Sequence, residues 1–443
     1  MGKILNLKFS LNLLFSLIPV SFILGNFAIN LNILLIFLFG ILILKKEIFL
    51  LDNNLEIKLL TSFFVVLILS TIFNYLVFES NLQNFSFENR VIKSIFFLRY
   101  IILSILIYKL LSRNLIDFRF FFISSLICCS VLSLDVILQF LSGKNLLGYT
   151  SNSINNSGLF GEELIAGGYL SKFSIFSIIF LQIFIAKDNF TKKILAGFLI
   201  FLFILSAFYS GNKMPYHMLL IGIILIFLFV KKLRLSIFLG VFLAFISILI
   251  SMQSNEKLKS YHLSFYNNFK IVSYEVTKKV LIENFGSEEQ KKNEKIRTEV
   301  YWPVRTGHKQ LFLTAIDVWK DSLFFGNGVK SFRIKCSEKQ KKLDNRMCDS
   351  HPHNFYLEIL CDTGIVGLFL ILGILFIFFK KYFLVFFKKR GFHENELIFL
   401  SCFICIFLEL FPFKSSGSFF STTNSSFIFL IIGILLNKKR LKY

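Results

Sequence analysis

Long apolar runs alternate along the chain with short segments that carry most of the charged residues. A helix of about 20 apolar residues is long enough to cross a bilayer. The pattern predicts twelve such helices, although several runs are shorter than that length. They lie near residues 10–25, 29–44, 59–78, 92–111, 118–141, 168–186, 192–209, 216–230, 235–251, 363–379, 397–412 and 418–436. The predicted fold class is therefore all-α, a polytopic membrane protein with about twelve transmembrane helices.

The composition supports this class and excludes others. Of the 443 residues, 55% are hydrophobic and the mean hydropathy is +0.69, which is more apolar surface than a soluble domain of this size can bury. The formal net charge of +22 is typical of nucleic-acid-binding proteins, but the basic residues lie between the apolar runs and form no single patch. We therefore predict a protein that lies in a lipid bilayer and binds no nucleic acid.

The distribution of Lys and Arg predicts the orientation in the membrane. With the N-terminus inside, the cytoplasmic segments carry 23 of these residues, whereas the short outer loops carry only Arg90, Lys144, Lys213 and Lys414. Loops rich in positive charge stay on the cytoplasmic side. Both termini are therefore predicted to be cytoplasmic, and the membrane is predicted to be the cytoplasmic (inner) membrane of a bacterium.

One long polar segment divides the chain into three parts. Residues 1–251 carry nine predicted membrane helices, residues 252–362 form a predicted helical domain in the periplasm, and residues 363–443 carry the last three membrane helices. Within the polar segment, residues 262–285 and 307–321 have apolar positions at helical spacing. Gly326-Asn327-Gly328 predicts a sharp turn after the second of these helices.

Two cysteines, Cys336 and Cys348, lie between the flanking apolar runs on the predicted oxidising side of the membrane. A disulfide between them would close a basic loop. One pair of residues does not decide between a disulfide and two free thiols. The remaining cysteines fall in or near apolar runs and are predicted to be packing residues.

Polar side chains accumulate where the long polar segment gives way to an apolar run, in His351-Pro352-His353-Asn354 and at Glu358. The imidazole of His353 is a candidate proton acceptor at the membrane surface. The structural alternative is that this ring bonds a backbone carbonyl while Asn354 caps a helix. His351 and His353 would supply two metal ligands, but no third ligand stands out, so no metal site is predicted.

The block His353-Asn354-x-x-Leu357-Glu358, followed by Gly364 and Gly367, resembles the signature of the O-antigen ligase and Wzy-type O-antigen polymerase superfamily. Three other elements are similar to that superfamily and stand in the same order. They are Ser157-Gly158-Leu159-Phe160-Gly161 with Gly167, Tyr169 and Leu170; Ser210-Gly211-Asn212-Lys213; and Ala315-x-x-x-Trp319 with Phe325-Gly326-Asn327-Gly328. The resemblance covers about residues 150–380.

The resemblance implies an all-helical membrane enzyme that moves a glycan from undecaprenyl diphosphate at the periplasmic membrane face. A ligase places the glycan on lipid A-core, and a polymerase places it on another lipid-linked repeat. The reaction of this superfamily is regarded as needing no metal, and no cofactor is predicted. We favour the ligase, and the polymerase stays open because both types use the same donor.

The resemblance also implies roles for individual residues. His353 is the predicted catalytic proton handler. A departing diphosphate needs nearby positive charge, for which the candidates are Lys213, Arg305, His308, Arg333 and Arg99. Asn354 and Glu358 complete the predicted substrate site, where Glu358 either orients His353 or the glycan, or bonds a lysine.

The sequence departs from the superfamily at two of these positions. Lys213 stands where the superfamily usually has Arg after Ser-Gly, and lysine lacks the bidentate fork of a guanidinium. The second expected Arg falls nearest His308, with Arg305 three residues before it, and the sequence does not decide between them. For Arg333, an ordinary solvated loop is the alternative.

A charge inside an apolar run is costly, which makes Arg99 a functional candidate by default. Arg99 either holds the lipid diphosphate from below or forms a structural pair with Asp135 or Glu409. The same three residues would form a charged pathway in a transporter of lipid-linked glycans, which is the rival of another functional class. No internal repeat is evident, although many transporters have one.

Overall fold

A computed structural model describes residues 2–49, 54–76, 88–152, 154–185, 189–267, 287, 289, 307–389 and 391–437. The described part of the chain is helical, and its only β contact is an isolated bridge between Lys144 and Thr150. We number the helices as follows: α1 Gly2–Ser16, α2 Ile18–Leu24, α3 Asn26–Leu44, α4 Leu55–Asn74, α5 Glu88–Phe97, α6 Arg99–Ser112, α7 Arg119–Ser142, α8 Ala166–Phe184, α9 Phe190–Tyr209, α10 Lys213–Phe229, α11 Arg234–Ser254, α12 Gly307–Trp319, α13 Phe332–Lys342, α14 Phe355–Lys388, α15 Glu394–Glu409 and α16 Thr422–Leu435.

The all-α class is confirmed, and each of the twelve predicted spans contains helical backbone. Eight helices of the described chain are long and apolar enough to cross a membrane, and α1 with α2 would make a ninth as one span bent by 46°. Helices α10 and α16 are apolar but shorter, with 17 and 14 residues. The count of twelve membrane spans therefore stays a prediction.

Helix α8 is the most enclosed of the candidate spans, and aromatic side chains pack around it. The ring of Phe173 lies 5.2 Å from that of Phe22 on α2 and 5.5 Å from that of Phe427 on α16. Aromatic pairs at such distances pack edge to face, as these two do. The abundance of Phe in the sequence thus serves close packing between helices that are far apart along the chain.

Helix α14 begins at Phe355, eight residues before the predicted span, and it is broken at Gly364. Gly364 has φ 64° and ψ −166°, which interrupts the hydrogen bonds of the helix. The predicted turn at Gly326-Asn327-Gly328 lies directly against this break. The amide groups of Asn327 and Gly328 donate to the carbonyl groups of Cys361 and Asp362, at 2.8 and 2.9 Å.

The second half of α14 completes the same pairing. The amides of Ile365 and Val366 donate to the carbonyls of Leu323 and Phe324, at 3.0 and 3.1 Å. Backbone groups that are not paired are very costly in an apolar environment, so a broken helix there needs such partners. The turn therefore pairs the backbone groups that the break leaves free. The same hydrogen bonds fix the position of the turn.

Buried side chains of α4 and α5 hold this turn from the other side. Arg90 is only 4% exposed, and its guanidinium donates to the carbonyls of Asn327 and Val329 at 2.6 and 2.8 Å. The amide of Asn74 donates to the carbonyl of Gly326, and the hydroxyl of Thr71 accepts from the amide of Val329. Arg90, which the sequence analysis treated only as an outer-loop charge, is thus part of the structural support.

The carboxylate of Asp362 binds the chain on the far side of the turn. It accepts hydrogen bonds from the amide groups of Lys330 and Ser331, at 2.7 and 3.0 Å, and from the hydroxyl of Ser331 at 2.6 Å. Asp362 is fully buried, and these donors replace the water that its carboxylate loses. Helix α13 therefore begins at a position set by α14.

Helices α12 and α13 form a second hydrophobic core, which is smaller than that of the helix bundle. The predicted apolar face of α12 is confirmed at Leu311, Ala315 and Val318, which are buried against Phe332 and Cys361. A disulfide joins Cys336 on α13 to Cys348, which answers the question left open by the sequence. Of the predicted amphipathic helix at 262–285, helical backbone is described for 256–267, and the remainder lies outside the described residues.

We expect Gly364→Ala to lower the thermal midpoint of unfolding, because an added Cβ would meet the carbonyl of Phe324 while the residue keeps a positive φ. Left-handed strain and overpacking together cost at least about 2 kcal/mol. Gly373→Ala is the matched control in the same helix, since its Cβ would only touch Leu59 at 3.6 Å. Unfolding of the purified protein in detergent measures both, and equal midpoints for the two variants would contradict the importance of the break.

Candidate active site

His353 lies at the junction between the small second core and the helix bundle, with its side chain 28% exposed. Its Nε2 is 3.2 Å from a carboxylate oxygen of Asp349. The ring of His351 lies 4.2 Å away, and the ring of His308 on α12 lies 5.2 Å away, measured between centroids. The structure therefore brings the two predicted residues His353 and His308 together, and it adds an acid that the sequence analysis did not select.

The chain around His353 is held by α14 and by the loop between α15 and α16. The side-chain oxygen of Asn354 accepts from the amides of Tyr356 and Leu357, at 3.0 and 3.2 Å, which caps α14. Its side-chain NH₂ donates to the carbonyl of Pro412 at 3.0 Å. The carbonyl of His353 accepts from the amide of Ser416 at 2.9 Å, while His353 itself has φ 56°.

These contacts decide between the alternatives left open for this block. The structural alternative was correct for Asn354, which caps the helix, and both ends of its amide are engaged within the protein. Asn354 thus helps to position His353, and its predicted contact with the substrate stays a prediction. The alternative was wrong for the ring of His353, because its hydrogen-bond partner is a carboxylate and not a backbone carbonyl.

The charges at this site follow from burial and from local hydrogen bonds. Burial lowers the pKa of His351 to about 4, with a further contribution from His353. Burial also lowers the pKa of His308, so both rings are uncharged at neutral pH. The backbone amide of Ser350 lowers the pKa of Asp349, which keeps its carboxylate ionised next to His353.

Arg333 lies beside this histidine cluster on the exposed side of α13. Its Nε donates to the carbonyl of Ser350 at 3.4 Å, and its charge contributes to lowering the pKa of His351. Its side chain is exposed, so an anion in solution can reach it. Arg305 lies outside the described residues, so His308 is the only one of the two alternative positions that the structure places.

Lys213 begins α10 in a different cluster. Its Nζ lies 3.6 Å from the ring centroid of Tyr261 and 5.8 Å from that of Phe265, both on the helical segment 256–267. Among the described residues, no hydrogen bond, ion pair or ring contact joins Lys213 to His353. The prediction that these two residues act together is thus not matched by a direct contact.

Arg99 is the first residue of α6, and its predicted structural pairs are wrong. Its guanidinium donates to the hydroxyl of Tyr100 at 2.8 Å. Asp135 instead accepts from the amide of Leu146 at 2.8 Å, and Glu409 lies 2.9 Å from the ammonium of Lys414. The acids have local partners, so the three residues do not form one charged pathway through the helices.

Glu358 is 3% exposed and accepts from the hydroxyl of Ser418 and the amide of Phe419, both at 2.6 Å. It therefore fastens the α15–α16 loop to α14 and does not orient His353 directly, as one alternative had predicted. Neither does it form an ion pair with a lysine among the described residues. Like Asn354, Glu358 thus holds the chain that carries the histidine, and its predicted contact with the substrate stays a prediction.

Three histidines and Asp349 meet at this site, yet no group of three or more His, Cys, Asp or Glu side chains within the described ranges has the geometry to hold a metal ion. Asp349 is the functional candidate that the sequence analysis missed. A signal was present, because Asp349 precedes His353 by four residues in a segment rich in polar side chains. The spacing was not decisive, since this segment is not a helix.

A family model described as O-antigen ligase matches residues 197–372. This segment runs from within α9 through α13 and includes the histidine cluster and the break in α14, so the resemblance noted from the sequence is confirmed. The match supports a function of the O-antigen ligase or polymerase type in general, acting on lipid-linked glycans in a multi-pass bacterial membrane protein. No curated protein matches the chain.

We expect acid to weaken the fold partly through His351. An unfolded histidine has a pKa of about 6.5, and burial lowers that of His351 to about 4. The unfolded chain therefore binds a proton more tightly, so this stability is present above about pH 6.5 and is lost as the pH falls toward 4. Allowing for partial exposure, the loss at pH 5 is about 1 kcal/mol.

Thermal unfolding at pH 7 and pH 5 checks this expectation, with His351→Gln as the variant that cannot titrate. The drop in midpoint between the two pH values should be smaller for the variant than for the natural protein. Equal drops would mean that His351 does not contribute to the acid sensitivity.

Proposed function

We propose that this protein is a glycosyltransferase of the O-antigen ligase type. It takes a glycan linked to undecaprenyl diphosphate and transfers it to a sugar hydroxyl of lipid A-core at the periplasmic face of the inner membrane. The observation that carries the proposal is the contact of His353 with the ionised carboxylate of Asp349, beside His308, within the segment matched by the family model. A histidine held by a carboxylate is a common arrangement for proton transfer.

In the proposed reaction, the oxygen of the acceptor hydroxyl attacks the anomeric carbon of the donor sugar. A new carbon–oxygen bond forms while the bond from that carbon to the diphosphate oxygen breaks, and its electron pair leaves with the diphosphate. His353 takes the proton of the attacking hydroxyl as general base. Asp349, 3.2 Å away, orients the ring and stabilises the imidazolium that forms.

Negative charge develops on the departing diphosphate, and cations placed near it stabilise the transition state. Arg333 is the exposed cation beside the histidine cluster, and we assign it to the diphosphate or to a charged group of the glycan. Lys213 and Arg99 remain proposed contacts of the donor at other points along its length. No metal takes part in the proposed step.

A Wzy-type polymerase is the second candidate, because it would use the same donor and the same histidine with another lipid-linked repeat as acceptor. A transporter of lipid-linked glycans is the candidate of another class. The separate partners of Asp135 and Glu409 remove the charged pathway on which that candidate depended. We therefore keep the polymerase as the alternative.

We expect His353→Ala to insert normally into the membrane and to lose transfer activity by about 10²- to 10⁴-fold, which is the usual contribution of a general base. The measurement is transfer of a lipid-linked glycan by the purified protein in liposomes. His393→Ser is the matched control. His393 caps the N-terminus of α15, and serine is also able to cap a helix there. Full activity of the His353 variant would overturn its assignment.

We expect deletion of the gene to remove long glycan from lipid A-core while lipid-linked polymer accumulates, because the donor is still made but not transferred. Gel analysis of surface polysaccharide measures this result. A core that carries a single repeat would instead identify a polymerase. Unaltered surface glycan would exclude both enzymes.

A further inference from the structure

Three charged side chains meet inside the helix bundle without a part in the site described so far. Lys172 lies on α8, Glu409 is the last residue of α15, and Lys414 lies in the loop between α15 and α16. Their exposed fractions are 8%, 4% and 9%. A carboxylate oxygen of Glu409 is 2.9 Å from the ammonium of Lys414 and 3.6 Å from that of Lys172.

The cluster has more positive than negative charge. Within the described part of the chain, the titratable groups that act on Lys172 are Glu409, Lys414 and the thiol of Cys405, so one carboxylate faces two amines. The other contacts of Lys172 are uncharged: the side-chain oxygen of Asn424 at 2.8 Å and the ring of Phe427 at 5.1 Å. An excess charge in an apolar bundle is costly unless an anion compensates it.

A second observation concerns the loop that carries Lys414. Ser416, two residues after Lys414, is 8% exposed, and its hydroxyl has no hydrogen-bond partner among the described residues. A buried hydroxyl without a partner is also costly, and a phosphate oxygen would satisfy it. The cluster thus lacks one negative charge and the neighbouring loop lacks one hydrogen-bond acceptor, and a phosphate group bound at this loop carries both.

The cluster lies next to the proposed catalytic histidine. The backbone amide of Ser416 donates to the carbonyl of His353 at 2.9 Å, and the carbonyl of Pro412 accepts from Asn354 at 3.0 Å. The ammonium of Lys414 lies 6.0 Å from the ring of Phe355, the next residue but one after His353. The loop that carries Lys414 is therefore held by the same residues that place His353.

We propose that Lys172 and Lys414 form a binding site for the diphosphate of the lipid carrier, with Glu409 holding the two ammonium groups in position. This inference rests on the proposed function, since it names where the donor's leaving group is bound. A phospholipid headgroup offers the same phosphate chemistry. We assign the site to a prenyl diphosphate because the site adjoins His353, the residue proposed to act on the donor.

The test measures binding of radiolabelled geranylgeranyl diphosphate to the full-length protein in nanodiscs of phosphatidylcholine. We expect Lys414→Gln and Lys172→Gln each to weaken binding about tenfold or more, because each removes a charge-assisted hydrogen bond in a site of low dielectric. Lys414→Arg should retain most of the affinity. Glu409→Gln should raise the affinity, because the amide oxygen of Gln still accepts hydrogen bonds from the two ammonium groups while the competing negative charge is removed.

Lys389→Gln is the matched control. Lys389 pairs with Glu396 near the other end of α15, at 2.5 Å, so this variant also breaks a pair with a buried acid of the same helix. Its binding should equal that of the natural protein. The inference would be overturned if the Lys414→Gln and Lys389→Gln variants bound the probe equally well. This holds whether both bind it normally or both have lost binding to the same degree.

Competition separates the possible ligands. Unlabelled inorganic diphosphate should compete through the same lysines, and phosphatidylglycerol should compete poorly. Equal competition by phosphatidylglycerol would show a general anionic-lipid site and overturn the assignment. His353→Ala should bind the probe normally yet fail in transfer. If His353→Ala binds the probe but does not transfer, and Lys414→Gln also binds the probe normally, the inferred diphosphate site is wrong while the proposed function stands. If His353→Ala is active in transfer, the proposed function itself is overturned.

Discussion

The structure depends on one constraint: a helix broken inside an apolar bundle must find new partners for its freed backbone groups. At Gly364 these partners come from the turn at residues 323–328, which exchanges four backbone hydrogen bonds with the two halves of α14. Arg90 and the polar face of α4 hold the turn in place through its carbonyl groups. The inserted helices α12 and α13 are therefore attached to the bundle by main-chain hydrogen bonds together with these buried side chains.

The attachment of α12 and α13 to the helix bundle determines the position of the histidine cluster. The first two turns of α14, before the break, carry Asn354 at the start, Glu358 in the middle and Asp362 near the end. Asn354 and Glu358 bind two points of the α15–α16 loop, and Asp362 binds the start of α13. The chain at His353 is thus fixed from several directions, although the imidazole ring stays partly exposed.

Several local features were predictable because they depend on neighbouring residues. The helical segments follow from apolar periodicity, the turn at Gly326-Asn327-Gly328 follows from its glycines, and the cap at Asn354 follows from the preference of Asn for that position. The predicted membrane span begins eight residues after the start of α14, because the apolar run begins only after the break. The expected pairs of Arg99 were wrong, since charge alone does not say which acid lies within reach.

The sequence by itself determined that the chain is a helical membrane protein, where its helices lie, and which histidine block deserves a chemical role. These properties follow from the hydrophobic pattern and from motifs of a few residues. Only the tertiary structure decided that Asp349 and His308 meet His353, that Arg90 supports a turn more than 230 residues away, and that Lys172 and Lys414 share one carboxylate. Such contacts join residues that are far apart along the chain, and their energies depend on burial and distance, which a linear pattern does not contain.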